Sequence, residues 1–333
     1  MAFVDAFNRS ITYLRISLTD RCNFRCVYCM PDEDIEWIPR EKILSFEELE
    51  LIVSVFAEHG LKRIRLTGGE PLLRKGICDL ISRFRQLGVD EIALTTNAFL
   101  LPKFAKDLKN AGLTHLNVSF DTLEREVFKK ISRNKNLDRV LDGLKAATDA
   151  GFENIKLNSV IIRGINDHEI LNLVTFAAKE EHILRFIEFM PIGSGTIWGK
   201  TAVPVGEIRQ RLSESGMLRA EQQSLGFGPA QYWTFSNDEI KATPVGFISA
   251  LSSCFCDDCN RIRITPTGGL RACLGDDREE DLAGLLRAEV GEEKKKSAIE
   301  ECVHRALATK KHTHSFAFDK GPSTQKRMHA IGG

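Results

Sequence analysis

Hydrophobic residues along this chain recur with two periods that take turns. Residues 12–19, TYLRISLT, alternate apolar and polar as a strand does, and they run straight into a loop rich in cysteine. Ser45-Phe46-Glu47-Glu48 has the form of a capping box, opening a helix that continues through Leu49, Ile52, Val53 and Phe56 to Gly60, a natural stop. A second strand is predicted from Lys62 to Leu66. The pattern then continues as helix 76–87, strand 91–96, helix 102–111, strand 114–120, helix 136–150, strand 153–161, helix 168–181 and strand 183–189. Six strands alternating with helices predict parallel pairing through helical crossovers. Six is short of a closed eight-stranded barrel, so the expected fold class is α/β, a partial (β/α)6 TIM-type barrel with an open side.

The alternation ends at Met190. Residues 191–204 are rich in Gly and Pro, a helix is predicted near Val205 to Ser215, and residues 221–251 read as short strands. A charged, helical stretch runs to about Lys311 and a polar tail ends in Ile331-Gly332-Gly333. Two domains are expected: the barrel over 1–190, and a smaller α+β C-terminal region over 191–333 that carries a second cysteine group. In parallel α/β barrels, functional groups collect where the strands end. The cysteine loop, Gly68-Gly69-Glu70-Pro71, Thr95, Ser119 and Met190 all occupy such ends, so one face should hold the chemistry.

Composition narrows the classes. Of 333 residues 43% are apolar, enough for a sizeable core, while Lys+Arg and Asp+Glu are both 46. Zero net charge gives no global field for nucleic acid or an anionic membrane, and any anion site must be built locally. No secretory pattern opens the chain and no run is long and apolar enough to span a bilayer, so it reads as cytoplasmic. Nine cysteines in such a chain argue for metal or redox work rather than a disulfide framework.

Six of the nine fall into two sets. Cys22, Cys26 and Cys29 form CxxxCxxC on one loop; Cys256 and Cys259 form CxxC and are followed by Cys273. Thiolates select zinc or iron-sulfur clusters. Structural zinc is usually closed by four ligands, and no fourth Cys or His stands near the first loop. At the second set Cys254 could supply a fourth thiol, and zinc is the stronger rival there.

With Tyr28 just before its third cysteine, the first loop resembles the radical S-adenosylmethionine (SAM) enzymes, and the GGEP segment one βα unit later is similar to theirs. CxxCNRxRxTxxGxLxxC around the second set resembles one family, the GTP 3',8-cyclases of molybdenum cofactor biosynthesis. The resemblance runs from Arg15 to the terminal Gly-Gly. It implies two 4Fe-4S clusters, each held by one trio, Cys22, Cys26 and Cys29 or Cys256, Cys259 and Cys273, and each with one iron open. SAM would chelate the first open iron, with Tyr28 on its adenine, Gly69, Ser119 and Met190 along its ribose and methionine, and Glu70 helping to hold its amino group. GTP would meet the second. Arg15, Arg65, Lys156, Arg261 and Arg263 match the family's basic GTP contacts, Thr95 adds a hydroxyl, and Gly332 and Gly333 would enter the active site and support catalysis.

The cations have an independent argument. Arg15, Arg65 and Lys156 sit among apolar neighbours within predicted strands, so at least some should face into the barrel. A buried cation needs an anion, which could be a local acid or a phosphate, and arginine's planar fork suits phosphate oxygens. The implied reaction is that of a lyase: SAM is cleaved reductively, the 5'-deoxyadenosyl radical takes the 3' hydrogen of GTP, and the ribose radical attacks C8. The product would be (8S)-3',8-cyclo-7,8-dihydroguanosine 5'-triphosphate. Implied partners are GTP, a reducing electron donor and a downstream cyclic pyranopterin monophosphate synthase; a homodimer is compatible with the sequence.

Two departures stand out: Asn97-Ala98 where the family usually has Asn-Gly, and the additional Cys254. Two rival readings remain, a radical SAM peptide-modifying enzyme with an auxiliary cluster, and a zinc-binding interaction module around an inert barrel. The histidines are scattered, and His312 and His314 are expected to be solvated.

Overall fold

The computed structural model describes residues 2–30, 35–193, 201–221, 225, 228–317, 324 and 326–332. Strands and helices alternate as β1 (Tyr13–Ser17), α1 (Phe46–Glu58), β2 (Arg63–Thr67), α2 (Ile77–Gln86), β3 (Glu91–Thr96), α3 (Leu101–Asn110) and β4 (His115–Ser119). Two helices then follow, α4 (Arg125–Ser132) and α5 (Leu137–Asp149), before β5 (Lys156–Val160), α6 (Ile170–Lys179) and β6 (Ile183–Ile187). The six strands pair in parallel in chain order. The capping box at α1 forms as read, with Glu48 N–H donating to Ser45 Oγ at 3.1 Å and Ser45 N–H donating to the Glu48 carboxylate at 2.7 Å.

Helix α4 is not foreshadowed by periodicity, because among its eight residues only Phe128, Ile131 and Ser132 are buried. Tertiary contacts supply what the pattern lacks. Arg25 and Val27 of the cysteine loop donate their amides to the carbonyls of Ser132 and Ile131, each at 2.9 Å, and the Phe24 and Phe128 rings meet edge to face. The helix therefore buttresses the loop it was not expected beside.

Beyond β6 come α7 (Val205–Ser215), β7 (Met217–Ala220), β8 (Gln231–Ser236), β9 (Thr243–Ile248), β10 (Arg261–Ile264), β11 (Gly269–Arg271) and β12 (Glu280–Asp281). Helices α8 (Leu282–Leu286), α9 (Glu292–Ala308) and α10 (Met328–Ile331) complete the described chain. These strands extend the barrel sheet at both edges: β9 pairs in parallel with β6, and β10 in parallel with β1. The full order is β12-β11-β10-β1-β2-β3-β4-β5-β6-β9-β8-β7, open at its two ends.

One face of the barrel strands is hydrocarbon. Leu14, Ile16, Ile64, Leu66, Ile92, Leu94, Val118, Leu157 and Phe186 are fully buried within the main core. At ~1.5–3 kcal/mol for each buried aliphatic or aromatic side chain, that face can stabilise the sheet by itself. The other face is free to differ, and it does. Parallel strands are ordinarily apolar on both sides, yet the alternate positions here carry Arg15, Arg65, Asn117, Asn158, Arg185 and Arg263. That side is a chamber rather than a second core. Among the described residues, no helix is long and apolar enough to cross a membrane.

Candidate active site

The chamber is a cavity of about 340 Å3, and both cysteine trios line it. The first trio stands on the loop after β1, where Cys29 and Met30 both donate their amides to the Cys26 carbonyl in a single tight turn. The second is assembled by a hairpin. β10 and β11 pair antiparallel through Arg263 with Arg271 and Ile264 with Leu270, so Cys259, before one strand, and Cys273, after the other, meet at the same end. Cys254 is exposed and is not among the cavity-lining residues.

Burial pushes the Cys22 and Cys29 thiols up to about 12, and the Cys26 thiol well up. Three such groups convert to thiolates only against a compensating positive centre. In the second trio burial also raises Cys259, but Arg261 and Lys310 overcome it and hold the thiol down at about 7. Four thiolates around one zinc ion would lie about 3.8 Å apart, given Zn–S bonds of about 2.3 Å. Among the described residues, the group of three metal-type donors drawn within 4.8 Å is Glu124, His168 and Glu169, outside the cavity lining, and neither cysteine trio closes to that spacing. Neither trio is therefore drawn together as the ligands of a single zinc ion are.

Gly68 and Gly69 line the cavity, but their small size answers to the protein. A Cβ on Gly68 would stand 2.5 Å from the Thr19 carbonyl oxygen, and one on Gly69 2.3 Å from that of Arg21. Gly69 and Glu70 donate their amides to those two carbonyls at 2.7 and 2.8 Å. The segment is thus laced to the cysteine loop, a packing role beside the approach to SAM that the resemblance implies. Glu70 is buried and accepts from Thr96 Oγ1, Asn97 N–H and Leu72 N–H at 2.8, 2.8 and 3.1 Å. Burial dominates nonetheless and lifts its carboxyl to about 7. Asn97 also donates through Nδ2 to Asn23 at 2.9 Å, and Ala98 takes a left-handed φ of +64° in the turn where the expected glycine is missing.

Tyr28, Ser119 and Met190 line the same cavity. The Tyr28 hydroxyl donates to Asp121 Oδ2 at 2.6 Å, and the other oxygen of Asp121 accepts from Val160 N–H at 2.8 Å.

The cations form a row. Register places Arg15 beside Arg263 on one side and beside Arg65 on the other. Desolvation first, then Arg263 and other arginines, hold the Arg15 guanidinium well below its usual value, and Arg263 is brought down to about 10. Arg65 donates through Nε to the Tyr13 hydroxyl and through Nη1 to Thr95 Oγ1 at 3.3 Å. Burial would raise the Tyr13 phenol, but Arg65, Arg15 and Arg63 outweigh it and hold the group at about 8. Arg15, Arg65, Arg185, Arg261 and Arg263 line the cavity. Lys156 is not among the lining residues, yet burial and then Arg185, Arg65 and Arg63 lower its ammonium to about 8, so it belongs to the same charged end.

The C-terminal tail reaches this chamber through Met328, which lines it, while Gly332 is not among the lining residues. Gly332 is buried at φ +72°, where a Cβ would stand 2.8 Å from Ser17 Cβ and 2.9 Å from Thr67 Cγ2. Its carbonyl accepts from Arg263 Nη1 at 3.4 Å, and the His329 amide hydrogen-bonds the Cys29 sulfur. The tail is not the polar appendage its composition suggested, because Ile331 packs with Ile192 and Phe316. Gly333 lies outside the described residues.

The radical SAM superfamily profile matches residues 16–177, and one described as Molybdenum Cofactor Synthesis C matches residues 182–316. A relative from Pelotomaculum thermopropionicum named GTP 3',8-cyclase is 44% identical over 332 residues, covering 99% of both chains. The chain belongs to the GTP 3',8-cyclase family of radical SAM enzymes. Members from Pseudomonas putida (strain W619) and Rhodopirellula baltica, with the same name, are 43% and 42% identical, each over the whole of this chain and over 98% and 92% of their own. The solved structure of Streptococcus suis SuiB bound to S-adenosylmethionine shares the fold, with a TM-score of 0.61 over 96% of this chain and 77% of its own at 15% identity.

Among the cavity-lining residues, sequence reasoning passed over Arg185, Tyr13 and Asp121. Arg185 is buried and donates to Asn158 Oδ1 at 2.9 Å and Asn117 Oδ1 at 2.6 Å. The period of β6, ILRFI, places it on the chamber face and could have found it. His314, expected in solvent, is half-buried and lines the cavity, whereas His312 is exposed.

Proposed function

We propose that the chain is a radical SAM GTP 3',8-cyclase, converting GTP to 3',8-cyclo-7,8-dihydro-GTP for molybdenum cofactor biosynthesis, in the one cavity that both cysteine trios and five arginines line. That shared cavity is the observation that carries the reading. Cys22, Cys26 and Cys29 would hold one 4Fe-4S cluster and Cys256, Cys259 and Cys273 the other, each leaving one iron for a small molecule. When bound, the clusters and SAM supply the electron transfer and radical chemistry that join ribose C3' to guanine C8.

The protein's part is holding and excluding. Glu70 would accept from the amino group of SAM, Gly69, Ser119 and Met190 would line its path, and Asp121, which holds the Tyr28 hydroxyl, would steady that ring for the adenine. Arg15, Arg65, Arg261 and Arg263, with Lys156, take the phosphates of GTP. Side by side these cations repel one another, and a triphosphate would relieve that repulsion. Thr95 aims Arg65. Gly332, with Gly333 beyond it, fills the wall beside Arg263. A primary-carbon radical attacks almost any nearby C–H bond, so the substrate has to be fixed before it forms.

We place the barrel functions in residues 1–190 and the auxiliary cluster and tail in 191–333. An external one-electron donor is required, and the product would pass to a cyclic pyranopterin monophosphate synthase. The enzyme would work, as a homodimer, in a reducing cytoplasm, where an exposed thiol such as Cys254 stays reduced. Anaerobic reconstitution followed by SAM, reductant and GTP tests the reading: 5'-deoxyadenosine and the cyclised nucleotide should form together, and their absence from protein with full iron would overturn it.

A further inference from the structure

Arg271 is fully buried, and the substrate chamber does not account for it. Its guanidinium reaches the loop that follows Cys273: Nη1 donates to Glu279 Oε1 at 2.7 Å, and Nη2 donates to the Asp276 carbonyl and lies 3.5 Å from Asp277 Oδ1. The same Nη2 lies 3.3 Å from Thr324 Oγ1, far along the chain. Thr324 is itself buried, and its hydroxyl donates to Asp277. Its carbonyl accepts from Gly193 N–H at 3.1 Å, and its hydroxyl from Lys326 N–H at 3.3 Å. Lys326 Nζ completes the ring of contacts by meeting Glu279 Oε2 at 2.6 Å. A single buried fork thus ties the loop carrying Cys273 to the stretch from which α10 and Gly332 follow.

We propose that Arg271, Asp277 and Thr324 are positioning residues that clamp the base of the C-terminal tail to the Cys273 loop and so hold Gly332 against Ser17, Thr67 and Arg263 at the chamber wall. A tail anchored at Thr324 searches little volume before Gly332 finds Ser17, Thr67 and Arg263; released there, it is next held at buried Phe316, which lengthens the loop and adds a modest closure entropy to the lost hydrogen bonds. The clamp also keeps the loop after Cys273 from drifting. Its importance for the reaction rests on the reading of the tail given above, whereas its mechanical role does not.

The test is Thr324→Val, nearly the same in shape but without the hydroxyl, with Thr324→Ser as the conservative rescue and Asp277→Asn as a second variant at a partly exposed position. Reconstituted holoenzyme is exposed to carboxypeptidase, and trimming of the terminal residues is followed by mass spectrometry. Thr324→Val should be trimmed about tenfold faster or more, as loss of a charged hydrogen bond implies, and Thr324→Ser should return toward the parent rate. Unchanged trimming in Thr324→Val and Asp277→Asn would overturn the clamp. Product formation should fall in step with trimming at unchanged iron content and GTP affinity. Fast trimming with full turnover would leave the clamp standing and remove the tail from the reaction.

Discussion

Replacing Arg15 with methionine should weaken GTP binding far more than it disturbs the ligand-free fold. Arg15 stands in register between Arg263 and Arg65. Neighbouring strands are about 4.8 Å apart, so adjacent charged heads lie roughly 6 Å from one another. At an effective dielectric of about 20, 332/(20 × 6) gives a repulsion of about 3 kcal/mol with each neighbour. Tyr13 and the further contacts of Arg15 offset this repulsion, so the change in stability without GTP should stay small. With GTP present the loss is larger. One charge-assisted hydrogen bond is worth about 1.5–3 kcal/mol, so Kd should rise roughly 10- to 150-fold. Thermal unfolding without nucleotide and a GTP titration of the reconstituted protein read the two effects separately. A less stable Arg15→Met with unchanged GTP affinity would refute the reasoning, because Arg15 would then be a structural ion-pair residue.

GTP affinity should fall as pH rises through about 8, because Lys156, held near that value by burial and by Arg185, Arg65 and Arg63, loses the charge that phosphate binds. Lys156→Arg should flatten the profile up to pH about 9, since arginine stays protonated; an identical slope in a titration of both proteins would exclude Lys156 as the titrating group. Cys254→Ser should retain about eight irons per chain after reconstitution, and Cys273→Ser about four; metal analysis showing iron lost from Cys254→Ser would make that exposed thiol a ligand. Glu70→Gln should weaken SAM binding roughly tenfold or more with both clusters intact, as expected for loss of one charged contact; calorimetric titration with unchanged affinity would contradict the assignment.

Local pattern carried much of this protein, and non-local pairing carried what it missed. The barrel strands were readable because their core-facing positions, such as Leu14, Ile64 and Leu94, alternate with polar ones. Helix α4 was not, because contacts to Arg25 and Val27 hold a segment with little apolar surface of its own. Nothing in a local window says that β10 lies beside β1 and β9 beside β6; the pairing brings Arg261 and Arg263 to the wall that holds Arg15. Cysteine spacing announced both trios, while their sharing of one cavity required the fold. The tail's anchoring was not legible locally, because Ile331 and Met328 find their partners, Ile192 and Phe316, only in the fold. Arg185 was overlooked although its alternation with Leu184 and Phe186 marked its face.

The most direct test of the account uses GTP carrying deuterium at C3'. Incubated with reconstituted protein, SAM and reductant, it should yield 5'-deoxyadenosine bearing one deuterium together with the 3',8-cyclised nucleotide. Unlabelled 5'-deoxyadenosine from protein with both clusters filled would contradict the claim that the two centres and the arginine row hold C3' of GTP where that hydrogen is taken.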